Sequence, residues 1–288
     1  MSFLTVRHST VYRYREPVGL GEHRMMFRPR ASHDLQVIRT SLAITPQPER
    51  LRWLHDPFDN SVAVATFEGT TTELRFESTV TLEHFENPML EYPLEEYARR
   101  YPFRYSDEDL PSLSLALARQ HEGESVSTWA LQFLDSSDSS GTMNLLRAMT
   151  HHIRKEFTYA RRVEKGVQTP EETLRTRRGS CRDFAALMLE ATRSLGIAAR
   201  FVSGYIFTPN SSGLAGGGAT HAWVQAYLPG AGWIDFDPTN SIVGNRNLIR
   251  VAVAWTAGQV LPLWGVYSGS AGAFLGMEVT VTVTETAG

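Results

Sequence analysis

The spacing of apolar and polar residues divides the chain into three stretches. In the first, up to residue 85, short segments rich in β-branched and aromatic residues are separated by Pro, Asn, Asp and Gly. Segments whose side chains alternate between two faces, with turn residues between them, predict β-strands. These strands are predicted at 5–14, 36–45, 61–67 and 74–85. Residues 1–85 are therefore expected to form an N-terminal β-sandwich-like domain.

The pattern becomes irregular in the second stretch, residues 86–141. Four prolines interrupt it, and residues 135–141 are a run of Asp, Ser and Gly. Prolines and clusters of small polar residues favour loops. We predict one helix at 112–120 and interpret the whole stretch as a surface connector with short helices.

The third stretch, residues 142–288, contains apolar residues at both helix spacing and strand spacing. Apolar residues recur three or four positions apart in 142–157 and 181–195, which predicts two amphipathic helices. Strands are predicted at 198–207, 219–228, 232–237, 248–253 and 277–284. Residues 229–232 join two of these strands as a hairpin. This stretch is expected to form an α+β core with C-terminal strands.

Composition narrows the classes of function. The chain has 288 residues, with 28 Lys and Arg against 31 Asp and Glu, a net charge of −3. This balance gives no indication of a nucleic-acid partner. A single cysteine excludes an internal disulfide and a zinc site built from several thiolates. We expect no metal or other cofactor, and the sequence has no calcium loop of the Asp-x-Asp-x-Asp-Gly type.

The distribution of apolar residues bears on where in the cell the protein is expected. Polar side chains interrupt the first eight residues, so no signal peptide is expected. No apolar run is long enough to span a membrane. We expect a cytoplasmic protein without a membrane partner; its oligomeric state is left open.

The one cysteine, Cys181, lies where the second helix of the third stretch begins. Ser180 is a suitable N-cap, and Asp183 three positions later gives a capping-box pattern. In the first turn of a helix, the dipole and the unpaired backbone N–H groups favour a thiolate. The same N–H groups can bind the oxyanion of a tetrahedral intermediate. Cys181 is thus a candidate nucleophile; the alternative is an inert, buried thiol.

A candidate general base follows on the predicted hairpin. His221 begins a strand directly after a Gly-rich loop, residues 211–218, which can form one wall of a site and move over a substrate. As base and acid, the imidazole would take the proton of Cys181 and later protonate the leaving amine.

Two aspartates compete to orient this histidine. Asp235 and Asp237 have the same parity on their strand, so alternation does not separate them. If the turn is centred between residues 230 and 231, position 221 pairs with position 240. Asp237 then lies nearer to His221 than Asp235 does, by roughly 7 Å. We therefore favour Asp237 as the group that hydrogen-bonds His221.

Several segments resemble the bacterial transglutaminase-like superfamily. They contain the candidate residues in the order Cys, His, Asp: residues 178–184, 195–205, 220–224 and 232–240. Residues 4–14 and 51–60 resemble the β domain that precedes this core in many bacterial members. The resemblance implies a papain-like α+β core, in which a cysteine-bearing helix packs on an antiparallel sheet. It also implies Cys181 as nucleophile, His221 as base and Asp237 as third member of a triad.

The chain departs from the family pattern at two places. Relatives often have a histidine where Ala186 stands, and residues 253–262 lack the charges that many relatives carry there. Neither departure involves the triad. Both departures affect the substrate contacts that relatives make, so the resemblance implies no substrate contact for this chain.

These observations favour a thiol enzyme that acts on a peptide, isopeptide or glutamine-type amide through a thioester, with a protein or peptide as partner. Hydrolysis is favoured over transfer to an amine, which would make the protein a crosslinking transglutaminase. Alternatives are a non-catalytic peptide-binding module and, with His151, His152 and His221 as ligands, a metal hydrolase. The second oxyanion donor is open among Gln168, Tyr159 and Trp223.

Overall fold

The computed structural model describes residues 2–85, 92–121, 123–134, 141–162, 166–209 and 213–286. The N-terminal part contributes five strands: β1 (Ser2–Met25), β2 (Leu35–Thr45), β3 (Arg50–His55), β4 (Ser61–Thr66) and β5 (Thr70–His84). Four of these were predicted, and β3 was missed. None of the helices among the described residues is both long and apolar enough to cross a bilayer.

The N-terminal sheet is organised around β1. Two strands from the far end of the sequence, β13 (Leu263–Ser268) and β14 (Phe274–Glu285), also pair with it. The described strands thus join into one antiparallel sheet of seven, where a sandwich of two sheets was expected. The physical reason is the length of β1, whose 24 residues exchange partners beyond a register shift between Arg13 and Val18.

The last predicted strand, β14, pairs with β1 of the N-terminal part. Residues 4–14 of β1 pair with residues 274–285 in antiparallel register, which satisfies the second edge of β1. Val281 of β14 is buried in the same hydrophobic cluster as Leu4 and Val6. The domain boundaries at residues 85 and 141 stay a prediction.

Five helices of the described chain precede or join the core: α1 (Leu110–Leu117), α2 (Glu124–Leu131), α3 (Thr142–Glu156), α4 (Pro170–Thr176) and α5 (Cys181–Ser194). Two short strands, β6 (Thr158–Tyr159) and β7 (Arg178–Gly179), pair in parallel. Both helices predicted in the third stretch are confirmed. The apolar face predicted for α5 is buried, and Gly196 ends that helix with a φ of 71°.

The stretch predicted as a surface connector is partly buried. In α2, Val126, Trp129 and Ala130 lie in the main hydrophobic cluster with residues of α5. Their spacing of three and four residues is that of one helix face, a short signal that the sequence interpretation missed. The predicted helix at 112–120 is α1, shifted toward the N-terminus. Residues 86–91, 122 and 135–140 of this stretch lie outside the described residues.

A second antiparallel sheet supports α5. Its strands are β8 (Ala199–Ile206), β9 (His221–Leu228), β10 (Gly232–Asp237), β11 (Ile242–Val243) and β12 (Leu248–Ala254), in the order β11-β10-β9-β8-β12. Helix α5 packs on β8 and β9. The structure is therefore of mixed α+β type, with the start of α5 directed toward the start of β9.

The hairpin of β9 and β10 differs by one residue from the predicted register. Phe236 pairs with Val224, so that position 221 faces position 239 and not 240. Ala231 N–H donates to Leu228 O at 3.0 Å, and Gly230 has a φ of 89°. A Pro-Gly turn of this kind leaves a three-residue loop centred on Gly230. Asp235 and Asp237 nevertheless keep the parity of His221.

Candidate active site

Cys181 occupies the first turn of α5, as predicted. Ser180 precedes the helix with extended backbone angles, and the Asp183 carboxylate accepts hydrogen bonds from the Ser180 N–H and hydroxyl, both at 2.8 Å. The Cys181 side chain is nearly buried, with 6% of the residue exposed. The N–H groups of a first helical turn have no intrahelical acceptor. They are thus available beside the thiol.

Asp183 also ties a neighbouring segment to the start of α5. Its other carboxylate oxygen accepts from Arg162 Nη1 at 2.7 Å and from the Gln168 backbone N–H at 2.8 Å. The Asp183 side chain is fully buried, and that of Arg162 is 19% exposed. A buried carboxylate is tolerated when charged and neutral donors surround it in this way. The sequence identified Asp183 as a cap but not as this wider anchor.

His221 and Asp237 meet as the hairpin argument predicted. His221 Nε2 donates to Asp237 Oδ2 at 2.8 Å, and both side chains are completely buried. Asp237 further accepts from the Thr239 N–H at 2.9 Å and from Asn240 Nδ2 at 2.8 Å. These donors fix the carboxylate, which in turn fixes the orientation of the imidazole.

Asp235, the competing aspartate, has other partners. It accepts from Trp223 Nε1 at 2.6 Å and from Arg250 Nη1 at 3.1 Å. The Trp223 ring stacks on the imidazole of His221 with a centroid separation of 5.9 Å. Arg250 continues to Asp34 of the N-terminal part at 2.6 Å. Asp235 therefore supports the wall beside His221 without contacting it.

The second imidazole nitrogen of His221, Nδ1, is in a different environment. Nδ1 is buried, and no hydrogen-bond partner for it lies among the described residues. Burial alone would lower the pKa of His221, but the charge and hydrogen bond of Asp237 outweigh it, and Cys181 adds to the effect, so that the pKa is raised to about 10. The Cys181 thiol thus lies close enough to the imidazole to raise the pKa of His221 through its hydrogen-bonding capacity and its charge, although Nδ1 has no hydrogen-bond partner among the described residues.

Gly216 brings the Gly-rich loop against this nitrogen. A Cβ built on Gly216 would lie 2.6 Å from His221 Nδ1, and the residue has a φ of 92°. Gly216, Gly217 and Ala219 line the same cleft as Cys181, so the described part of the loop forms a wall. Residues 210–212 lie outside the described residues.

Cys181 and His221 open into a cleft of about 680 Å³. Its walls come from the segments before and after Cys181, from the Gly-rich loop, from residues 256–262 and from Met277 and Val279 of β14. Both departures from the family pattern, Ala186 and the uncharged segment 253–262, contribute to this lining. The sequence did not indicate that β14 reaches the cleft.

The remaining histidine candidates lie apart from it. His151 contacts Ser241 at 3.3 Å, and His152 packs among the rings of Trp129, Phe133 and Phe157. Within the described residues, no group of three or more His, Cys, Asp or Glu side chains is arranged to hold a metal ion.

Comparison with known families supports the resemblance seen in the sequence. Residues 4–83 match the bacterial transglutaminase-like N-terminal region, and residues 131–238 match the transglutaminase-like superfamily. The second match contains all three of Cys181, His221 and Asp237. It does not contain β14 or the segment 256–262.

Individual relatives are similar over parts of their length. Uncharacterized protein ML0607 of Mycobacterium leprae is 41% identical over 108 residues, which are 36% of this chain and 38% of that protein. Uncharacterized protein Rv2569c of Mycobacterium tuberculosis is 32% identical over 154 residues, which are 50% of this chain and 48% of that protein. The matched segments thus span less than half the length of either relative.

One solved structure is similar over nearly the whole chain. It is described as "a Putative Cysteine Protease from Cytophaga hutchinsonii", with a TM-score of 0.71 and 20% identity, covering 99% of this chain and 92% of that one. At this identity the likeness shows a shared fold, with helices and a curled antiparallel sheet in the same arrangement.

Proposed function

Because the chain belongs to the transglutaminase-like superfamily, we propose that it is a thiol enzyme in which Cys181, His221 and Asp237 form a catalytic triad within a papain-like core. One observation carries the proposal. The imidazole of His221 has one nitrogen bonded to Asp237 and the other unbonded on the side of Cys181 and the cleft. This is the arrangement that a general base for a thiol requires.

The first half-reaction follows from these positions. Nδ1 of His221 takes the thiol proton, because Nε2 already donates to Asp237. The thiolate of Cys181 attacks the carbonyl carbon of an amide, and the electron pair of the C=O bond moves to oxygen. When this tetrahedral intermediate collapses, the C–N bond breaks and the imidazolium protonates the departing amine or ammonia. A thioester on Cys181 remains.

In the second half-reaction, we favour water as the acceptor. His221 removes a proton from water as its oxygen attacks the thioester carbonyl carbon, and the electron pair of the C=O bond moves to oxygen. When this intermediate collapses, the C–S bond breaks, the carboxylic acid leaves, and the imidazolium returns its proton to the Cys181 thiolate. The walls of the cleft beside Cys181 are mainly apolar, and polar side chains such as Gln168 and Arg182 among them offer places where water can bind. An amine entering by the same route would give the alternative, a protein-glutamine acyltransferase.

The substrate class we propose is a peptide, isopeptide or glutamine-type amide of a protein partner. A cytoplasmic location remains a proposal as well. A non-catalytic peptide-binding module is the alternative in which the cleft binds but does not react. The triad geometry favours the enzyme, because a binding module has no need of a buried His–Asp pair beside a thiol.

Mass spectrometry tests this function. Purified protein is incubated with a library of glutamine-containing and isopeptide-linked peptides, with and without a primary amine. We expect cleavage or deamidation in wild type and none in Cys181→Ala. Products that carry the added amine would assign transferase activity, whereas activity that survives Cys181→Ala would refute the thiol mechanism. If wild type binds peptides but converts none, the binding module is the correct function.

A further inference from the structure

An amide hydrolase of this type must stabilise the oxyanion of its tetrahedral intermediates. Preorganised donors aimed at that oxygen are commonly the largest single contribution to the rate. The backbone N–H of Cys181 is one such donor, since it lies in the first turn of α5. It has no acceptor among the described residues. A second donor must come from a side chain that reaches the same place.

Two of the three side chains with suitable donors are already engaged. The Gln168 side-chain amide donates to Thr173 Oγ1 at 3.2 Å and to the Arg178 carbonyl at 3.0 Å, which uses both of its hydrogens. Trp223 has a single N–H, and it donates to Asp235 at 2.6 Å. Neither group is free to bind an oxyanion unless these hydrogen bonds are broken.

Tyr159 is placed differently. Its strand pairs with the residues just before Cys181, Tyr159 opposite Gly179, and Ala160 N–H donates to Gly179 O at 2.8 Å. The Tyr159 ring packs against Phe184 of α5 with a centroid separation of 6.4 Å. Tyr159 lines the cleft with Cys181, and within the described chain no acceptor or donor contacts its hydroxyl.

The chemistry of this phenol suits a neutral donor. Burial and the proximity of Cys181 raise the pKa of Tyr159 to about 12, against the opposing effect of Arg161 and Arg182. The hydroxyl therefore keeps its proton throughout the range in which a thiol enzyme works. The same two guanidinium groups favour negative charge that develops beside them.

We propose that the hydroxyl of Tyr159 and the backbone N–H of Cys181 together form the oxyanion hole. Tyr159 would donate to the oxygen of both tetrahedral intermediates, on formation of the thioester and on its hydrolysis. The inference rests on the proposed thiol mechanism, and it assigns to that mechanism a catalytic residue outside the triad.

The test compares Tyr159→Phe with a matched control, Tyr101→Phe. Tyr101 is half-buried against the main core but does not line the cleft. We expect Tyr159→Phe to lower kcat by about 100-fold to 1,000-fold with little change in KM, and Tyr101→Phe to leave both unchanged. A peptide aldehyde, whose thiol adduct carries the same oxygen, should bind Tyr159→Phe more weakly by a similar factor.

Alkylation of Cys181 by iodoacetamide supplies the readout that separates catalysis from structure. Alkylation forms no oxyanion, so its rate and pH profile should be the same in wild type and Tyr159→Phe. An unchanged kcat in Tyr159→Phe would overturn the assignment. The assignment would also fail if Cys181 were alkylated more slowly in Tyr159→Phe, by a factor that accounts for the whole loss of kcat. Activity that persists in Cys181→Ala would instead refute the thiol mechanism, which is a separate result.

Discussion

His221 and Asp237 share a 2.8 Å hydrogen bond in which neither side chain is exposed to solvent. The bond distinguishes the two imidazole nitrogens, because Nε2 is held by the carboxylate and Nδ1 is the nitrogen that the proposed mechanism assigns to the thiol. Asp237 is itself held by donors from Thr239 and Asn240. A buried, fixed carboxylate of this kind orients an imidazole and stabilises the imidazolium.

Substituting Asp237 by Asn should therefore lower kcat by about 100-fold or more, since the neutral amide no longer stabilises the His221 imidazolium and cannot accept all the hydrogen bonds from His221, Thr239 and Asn240. The matched control is Asp235→Asn, which alters the partner of Trp223 and Arg250 on the same strand face. We expect less than about a tenfold loss from the control, because His221 keeps its own partner. Steady-state kinetics on the same peptide amide compares the two. Equal losses would contradict the assignment of Asp237.

The stability conferred by His221 should depend on pH in one direction. In the folded protein, the pKa of His221 is raised from the ordinary value of 6.5 to about 10. The imidazolium is thus more stable in the folded chain, an effect that is complete below pH 6.5 and is lost as the pH rises through the raised value.

Urea unfolding of Cys181→Ala and of the double variant with His221→Asn measures this contribution without titration of the thiol. Asp237 still raises the pKa of His221 in that background. The difference in unfolding free energy should be largest near pH 6 and should shrink as the pH rises through the pKa of His221, which Asp237 alone raises in this background. A difference that stays constant, or grows with pH, would show that His221 is neutral in the fold.

Asp183 should be important for stability even though it is not proposed to touch substrate. Asp183→Ala would leave the Ser180 N–H, the Gln168 N–H and the Arg162 guanidinium without their buried acceptor. Loss of one partner from such a buried pair costs about 3 kcal/mol or more. Asp107→Ala, at an exposed position, should change the unfolding free energy by less than about 0.5 kcal/mol. Similar urea midpoints for both variants would argue against the anchor.

Gly216 allows a separate test of the wall beside His221. Gly216→Ala and Gly218→Ala both place a side chain at positive φ, 92° and 82°, and each should cost about 1–2 kcal/mol of stability. Only the Cβ at 216 meets His221 Nδ1, whereas the Cβ at 218 points into open space. We expect kcat to fall by at least about tenfold in Gly216→Ala alone, because a misplaced base loses proximity to the thiol. Equal activity losses would attribute the effect to backbone strain.

The features that could be predicted from the sequence depend on neighbours along the chain. The buried face of α5 follows from the spacing of Phe184, Leu187 and Met188, and the parity of Asp237 with His221 follows from a hairpin. Even there, the loop centred on Gly230 shifted the register by one residue, since turn type and not strand pattern determines it. Local patterns therefore predicted the candidate triad but not its finer geometry.

The features that could not be predicted depend on distant contacts. Residue 4 of β1 pairs with residue 285 of β14. The alternation of side chains in each strand does not indicate which other strand it pairs with. The partners of Asp183 in the segment 162–168 likewise have no periodic spacing in the sequence. Tyr159 could be named as a donor by its chemistry, but only the occupied hydrogens of Gln168 and Trp223 distinguish it.

The wall that β14 gives the cleft has a consequence for substrate selectivity. Met277 and Val279 face the substrate space, yet they lie outside the residues 131–238 that define the superfamily match. Under the proposed mechanism, substitutions at these two positions would change which side chains the cleft accepts without altering Cys181 or His221. A strand that also pairs with β1 would thereby contribute to selectivity, and proteins that share the proposed triad need not share a substrate.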